Sequence, residues 1–155
     1  MLIRRANAGD IPALITLLYQ VHLVHSEGRP DIFRRGSKKY TEEELLSILG
    51  DESTPVLVAE RDGAVLGYAF CVLERIEGSL SLCDRKSLYI DDICVDKEAR
   101  GGGIGRALYE AVLSLARREG CYHVTLNVWN LNEGAMRFYE KCGMEPLKVT
   151  MEKIL

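Results

Sequence analysis

Two carboxylates stand side by side in an otherwise apolar run, Tyr89-Ile90-Asp91-Asp92-Ile93-Cys94-Val95. Burying a carboxylate is costly, so Asp91 and Asp92 need a reason to be there: either proton transfer with a substrate, or an ion-pair or capping role. Neighbours in a regular strand point to opposite faces. One of the two is therefore expected to face a cleft and the other a core or helix partner. A few residues on comes Arg100-Gly101-Gly102-Gly103-Ile104-Gly105-Arg106. A glycine-rich turn from strand to helix offers free backbone N–H groups at the positive end of the helix, where phosphate or pyrophosphate binds. A side chain there would block close approach and the positive φ angles such a turn takes.

Two common phosphate loops do not fit. G-x-G-x-x-G fails at Arg106 when read from Gly101 and at Leu108 when read from Gly103, and Arg106-Ala107 stands where a Walker loop needs Lys and Ser or Thr. What remains is Arg-x-x-Gly-x-Gly, carried by Arg100, Gly103 and Gly105. Downstream lies Asn132-Glu133-Gly134-Ala135-Met136-Arg137-Phe138-Tyr139-Glu140-Lys141-Cys142-Gly143-Met144. On its own this reads as an amphipathic helix with Asn132 as N-cap, Ala135, Phe138 and Tyr139 turned inward and Gly143 closing it.

Together the two segments resemble the GNAT superfamily of acyl-CoA-dependent N-acyltransferases. The first matches its pyrophosphate signature. The second matches its N-x-x-A-x-x-F-Y-x-K-x-G-F helix, with Met144 in the last aromatic place. The resemblance implies acetyl-CoA as donor, with its pyrophosphate on the backbone from Gly101 to Arg106 (Gly102 and Ile104 included). Its pantetheine arm would pair with Ile93-Cys94-Val95 as an added strand does and touch Asn132. A backbone N–H near Ile93 or Cys94 would then face the thioester oxygen, a donation typically worth about 3–4 kcal/mol. Tyr139 takes the place of the acid that serves the departing thiolate; a phenol, with a pKa of about 10, is protonated at neutral pH. A core tyrosine is the other reading.

The acceptor amine must lose a proton, since an alkylammonium has a pKa of about 10.4. The acidic pair resembles the Glu-Asp strand of spermidine-type acetyltransferases, which places the base, acting through water, at Asp91. Ribosomal-protein N-terminal acetyltransferases carry a Glu on the later strand. This chain has Asn127 there, so that route is disfavoured. Family resemblance also makes the segment between the first two helices an acceptor wall, with His22, His25, Glu27 and Phe33 as contacts; a solvated loop reads equally well. Arg29, Arg34, Arg35, Lys38 and Lys39 make that segment basic, which suits either an acceptor carrying a carboxylate or phosphate or simply a solvated face. His22 and His25 have no third ligand spaced nearby, so no metal is expected. Cys94 keeps a covalent acyl-enzyme route open.

These residues need a scaffold. Leu2 to Arg5 reads as a strand. Asn7 or Asp10 caps a helix with Ile11, Leu14, Ile15 and Leu18 on its apolar stripe and Pro12 in its first turn. Ser26 to Tyr40 is irregular. Thr41 and Glu44 form a capping box for a helix to Leu49. Strands Pro55–Glu60 and Val65–Leu73 flank an Asp62-Gly63 hairpin turn. Strand Ser87–Val95, helix Arg106–Glu119, strand His123–Val128, helix Asn132–Cys142 and a last strand Leu147–Ile154 complete the order β-α-α-β-β-β-α-β-α-β. That order matches the GNAT arrangement: one mixed α/β domain over residues 1–155, with a twisted mixed sheet of about six to seven strands and helices on both faces.

At 155 residues, 47% hydrophobic and 28% charged, the chain has ordinary globular composition. Its net charge of −3 argues against nucleic acid. No apolar run is long enough for a membrane span, and the N-terminus lacks a signal-peptide core. Five cysteines without a C-x-x-C pair suit a reducing, cytoplasmic setting. The expected reaction is acetyl transfer to a primary amine by direct attack in a ternary complex. A small-molecule amine is the first acceptor class and a protein N-terminus or lysine the second. A non-catalytic acyl-CoA sensor on the same fold is the rival. By analogy with the family, the chain forms a homodimer, with Val149–Ile154 shared or exchanged.

Overall fold

The computed structural model describes all 155 residues. The elements are β1 (Leu2–Arg5), α1 (Ile11–Gly28), α2 (Glu42–Leu49), β2 (Val56–Arg61), β3 (Ala64–Ile76), β4 (Arg85–Val95), α3 (Ile104–Arg118), β5 (His123–Leu126) and α4 (Glu133–Lys141). The sheet runs β1-β2-β3-β4-β5. Its first three pairings are antiparallel and β4–β5 is parallel. Helices cover both faces. One core joins α3 and Tyr139 of α4 to Leu57, Cys71, Leu88 and Ile90. The other joins α1 and α2 to Val58, Tyr68, Phe70 and Cys94.

Local chemistry accounts for the element ends. Asp62 and Gly63 both adopt positive φ, 52° and 80°, as a two-residue hairpin requires. The Thr41 hydroxyl accepts from the Glu44 N–H while the Glu44 carboxylate accepts from the Thr41 N–H, so the capping box is present. Asn7 and Asp10 make a second such box on the 3₁₀ turn that leads into α1. Gly67 admits a close approach. A Cβ there would lie 2.7 Å from the Cys94 carbonyl oxygen and 3.1 Å from Leu108, so a side chain would push α3 off the sheet.

Four expectations change. The first helix continues to Gly28, because the Ser26 hydroxyl folds back onto the Leu23 carbonyl instead of breaking the helix. The helix after the glycines starts at Ile104, two residues early, because Gly103 itself caps it. The strand after it stops at Leu126, where its pairing with β4 ends. The last strand does not form, so the sheet has five strands and not six or seven. Residues 145–155 make no backbone hydrogen bond, and a strand without a partner has no ladder to hold it.

Candidate active site

The glycine loop and the end of β4 make one half of the site. Gly101 and Gly103 have φ of +83° and +75°, which side chains rarely adopt. Gly103 is the N-cap of α3 and caps it with no side chain, so the first N–H groups of the helix stay free. Arg100 is exposed, and its guanidinium folds back onto the strand. Its Nε donates to the Val95 carbonyl at 3.3 Å and ties the loop to the strand. Gly105 sits where a Cβ would contact Val95 and Phe138 at 3.6 Å, bringing α3, β4 and α4 together.

The other half is a gap between strands. β5 pairs with β4 from Ser87↔His123 to Ile90↔Leu126 and no further. Beyond Ile90 the β4 backbone, Asp91 to Val95, has β3 on one side and no strand on the other. An extended, peptide-like ligand fits such an edge. Asn132 stands at the start of α4, and its Oδ1 accepts from the Ala135 N–H at 3.1 Å, leaving its amide N–H groups uncommitted. Tyr139 is buried against Tyr109 and Phe138, with ring centroids at 6.3 and 5.1 Å. Burial, then the nearby Asp92 charge, pushes its phenol pKa up. Its hydroxyl makes no hydrogen bond, and the only buried side-chain atoms without partners are His25 Nδ1 and Arg85 Nε. The hydroxyl thus keeps access to open space.

Asp91 and Asp92 do not face opposite ways. The β3–β4 register slips at this point: Phe70 is opposite Asp92 and Cys71 opposite Ile90, leaving Asp91 as the extra residue of a β-bulge. Both carboxylates consequently turn to the α1/α2 side. Asp91 accepts from Lys39 Nζ at 2.8 Å and from the Tyr40 hydroxyl at 2.5 Å. Asp92 accepts from the Tyr68 hydroxyl at 2.6 Å. Desolvation raises the Asp92 pKa, with the Tyr68 hydrogen bond opposing it. Desolvation and the Asp91 hydrogen bond together raise the phenol of Tyr40.

Cys94 lies on the same side. Its thiol is buried in the α1/α2 core and points at the Leu17 carbonyl, and burial pushes its pKa up to about 12. A thiol so held is not the nucleophilic thiolate a covalent route needs.

Three of the four acceptor-wall residues come together. His25 stacks on Phe33 at 5.0 Å and His22 meets the same ring edge-on at 6.0 Å. Burial, then the charge of His22, pushes the His25 pKa down, so this imidazole is neutral at pH 7. Glu27 is exposed and makes no hydrogen bond to this cluster. Sequence reasoning missed Trp129, whose ring packs on Phe33 at 4.9 Å and faces His25 at 6.3 Å. The chain has one tryptophan, three residues before Asn132, and that placement was the available signal. It also missed Tyr40, which lies next to the Thr41 cap, and Tyr68. The basic wall is partly neutralised within the protein. Arg29 pairs with Asp31 and Glu152, and Lys39 with Asp91, while Arg34 and Arg35 take part in none of the ion pairs. No group of three or more His, Cys, Asp and Glu side chains is placed to hold a metal ion. No helix is long and apolar enough to cross a membrane.

A strand-to-helix glycine loop beside the point where the parallel pair β4–β5 parts is the arrangement expected of the acyl-CoA-dependent transferases. Residues 19–144 match the acetyltransferase (GNAT) family model, and the chain belongs to that family. Curated relatives are named N-acetyltransferases. A glucosamine 6-phosphate N-acetyltransferase of Trypanosoma brucei brucei is 32% identical over 61% of this chain and 69% of that protein. A thialysine N-epsilon-acetyltransferase of Bos taurus is 29% identical over 95% of this chain and 85% of that protein. Among solved structures, the tetramutant of the BH1408 protein from Bacillus halodurans superposes with a TM-score of 0.96 at 35% identity, over 100% of both chains. An aminoglycoside acetyltransferase from a soil metagenome, solved with sisomicin, shares the fold alone, with a TM-score of 0.74 at 20% identity over 99% of this chain and 95% of that one.

Proposed function

We propose that this N-acetyltransferase moves an acetyl group from acetyl-CoA to the primary amine of a small molecule that also carries an anionic group. The observation that carries the reading is the bulge in β4. It sets Asp91 and Asp92 on one face at the point where β4 leaves β5. The anionic group is supported by Arg34 and Arg35, which have no partner in the protein. It is supported also by relatives named for glucosamine 6-phosphate and for thialysine, small amines that bear a phosphate and a carboxylate.

The residues present fit the donor. Free N–H groups from Gly103 to Arg106 suit its pyrophosphate, and the open backbone of Ile93, Cys94 and Val95 suits its amide-containing arm, with Asn132 alongside. When bound, acetyl-CoA supplies an acyl group activated as a thioester. Asp91 attracts the incoming ammonium in place of Lys39 and takes one proton from it, directly or through water, so that the neutral amine can attack; nitrogen loses its second proton as the amide forms and the C–S bond breaks. His25, Phe33 and Trp129 wall the acceptor side. Tyr139 does not need to surrender its proton outright. Full transfer from a phenol to a thiolate runs uphill, by about 2 kcal/mol at ordinary pKa values, and burial of Tyr139 steepens it. It serves instead by hydrogen-bonding the departing sulfur as charge builds there. The proton that ends on the sulfur comes from the amine. Homodimerisation belongs to the same reading.

The test is incubation with acetyl-CoA and a panel of amino acids, amino sugars, amino-sugar phosphates, polyamines, aminoglycosides and peptides, with chromatographic detection of CoA and product. Amine-dependent product that favours acceptors with a phosphate or carboxylate supports the reading. Product only from polyamines or peptides overturns the acceptor class. Tight acetyl-CoA binding with no turnover on any class supports a sensor instead.

A further inference from the structure

The contact that holds Asp91 places a primary amine of the chain itself at the site. Lys39 donates from Nζ to Asp91 Oδ1 at 2.8 Å, and the Tyr40 hydroxyl donates to Oδ2. A lysine is an ammonium on a flexible four-carbon stem, which is the functional group an N-acetyltransferase consumes. Asp91 is the first β4 residue past the last pair with β5, Ile90↔Leu126, and Ile93, Cys94 and Val95 follow it on the open edge. An amine on Asp91 is therefore next to the stretch of strand that suits the thioester arm.

Neighbouring lysines show that this placement is particular. Lys38 turns another way: its Nζ lies 3.4 Å from the Tyr19 hydroxyl and 5.0 Å over that ring. Lys86 pairs with Glu119 at the far end of β4. Among the lysines, only Lys39 bonds to Asp91 or Asp92. Nor is Lys39 fixed by an element. Its side chain is 44% exposed, against 17% for Asp91. Residues 34–40 make no hydrogen bond between backbone groups, so the ammonium can shift on the carboxylate without breaking a helix or strand.

We propose that Lys39 is a site of self-acetylation, modified by the protein's own acetyl-CoA when no acceptor has displaced it from Asp91. Asp91 takes one proton from the ammonium. The neutral Nζ adds to the thioester carbonyl carbon and forms the C–N bond. The C–S bond breaks and its electron pair leaves on sulfur. The second proton of the nitrogen passes to the sulfur, and the proton on Asp91 goes to solvent. The products are Nε-acetyl-lysine and the thiol of CoA. A tethered amine gains from proximity. The acetylated side chain has lost its charge, so it no longer competes with an acceptor for Asp91. The proposal rests on the reading of Asp91 as the base in acetyl transfer.

The experiment incubates the full chain with acetyl-CoA carrying an isotopically labelled acetyl group, without an added amine, and maps the label by peptide mass spectrometry. Lys39 should be labelled at least about tenfold faster than Lys38. Its fractional rate should not change on dilution of the protein at saturating donor, as a step within one molecule requires. Asp91→Asn keeps the lysine but should slow its labelling at least about tenfold. Lys39→Arg, which retains the positive charge, should take up no label at this position. With succinimidyl acetate in place of acetyl-CoA, Lys39 should not be favoured over Lys38. Label spread evenly over the lysines, the same preference with succinimidyl acetate, or labelling that Asp91→Asn leaves intact would each overturn the proposal. CoA release with the panel of free amines is measured separately. Turnover of a free amine with Lys39 unlabelled overturns self-acetylation and leaves the transfer reading standing. Neither label nor turnover overturns both.

Discussion

Carboxylates gather at two places in this molecule, and the fold treats them differently. Near β1, Asp10 is buried and fully compensated. Arg4 grips both of its oxygens at 2.8 and 2.9 Å, the Asn7 N–H donates to it as well, and Glu60 completes the network from β2. Arg4 holds the Asp10 carboxyl below its usual range. At the β4 bulge, Asp91 faces one exposed lysine and a phenol, and Asp92 has a single phenol and a pKa pushed up by desolvation. A carboxylate kept for the fold has an arginine fork and a backbone donor. The carboxylates proposed for chemistry have only partners that an incoming ligand can displace. That contrast, and not the presence of buried acid as such, separates the two roles.

The largest effect that would break the comparison concerns the gap. Tyr139→Phe should lower turnover about 10²–10⁴-fold while acetyl-CoA affinity, measured by calorimetry, stays near that of the parent. A loss under tenfold would return Tyr139 to the core. Next is Asp10→Ala, which leaves Arg4 with Glu60 as its remaining ion-pair partner and removes the cap on Asn7. It should cost about 2 kcal/mol of unfolding free energy in denaturant melts and leave kcat of the folded fraction unchanged. A cost below 1 kcal/mol would mean the fork is ornamental.

The pH dependence of stability sharpens the contrast by sign. Asp10, with its pKa lowered, contributes stability above the unfolded value of about 3.9 that is lost as pH falls. Asp92, with its pKa raised, does the opposite: the folded protein holds that proton more tightly, and the contribution is lost as pH rises through the folded value. Relative to the parent, Asp92→Asn should therefore gain in stability as pH rises from about 4, and Asp10→Asn should gain as pH falls toward 3. Parallel curves for the two variants would erase the distinction. The smallest effect is at Cys94. Cys94→Ala should leave kcat within about twofold, since its thiol stays protonated in the core; a loss of tenfold or more would revive the covalent route.

What was legible in the sequence was local. The glycine loop, the Thr41–Glu44 box, the Asp62-Gly63 turn and the Asn132 cap each depend on a few adjacent residues, and each is found in place. The bulge was not legible. It is a property of how β4 registers on β3, and it alone moves Asp91 and Asp92 to one face. The meeting of Trp129 with Phe33 and His25 is likewise tertiary, joining the loop after β5 to the end of α1 and the chain beyond it. The run Leu147–Ile154 has strand periodicity but pairs with nothing inside its own chain, because periodicity specifies a face and not a partner.

The most direct test sets the two places against each other: kcat/KM for Asp91→Asn and Asp10→Asn, measured side by side where both variants are folded. The account predicts a fall of about 10²–10⁴-fold for Asp91→Asn and no more than about twofold for Asp10→Asn. Activity of Asp91→Asn within tenfold of the parent, or an equal loss in both variants, would contradict it.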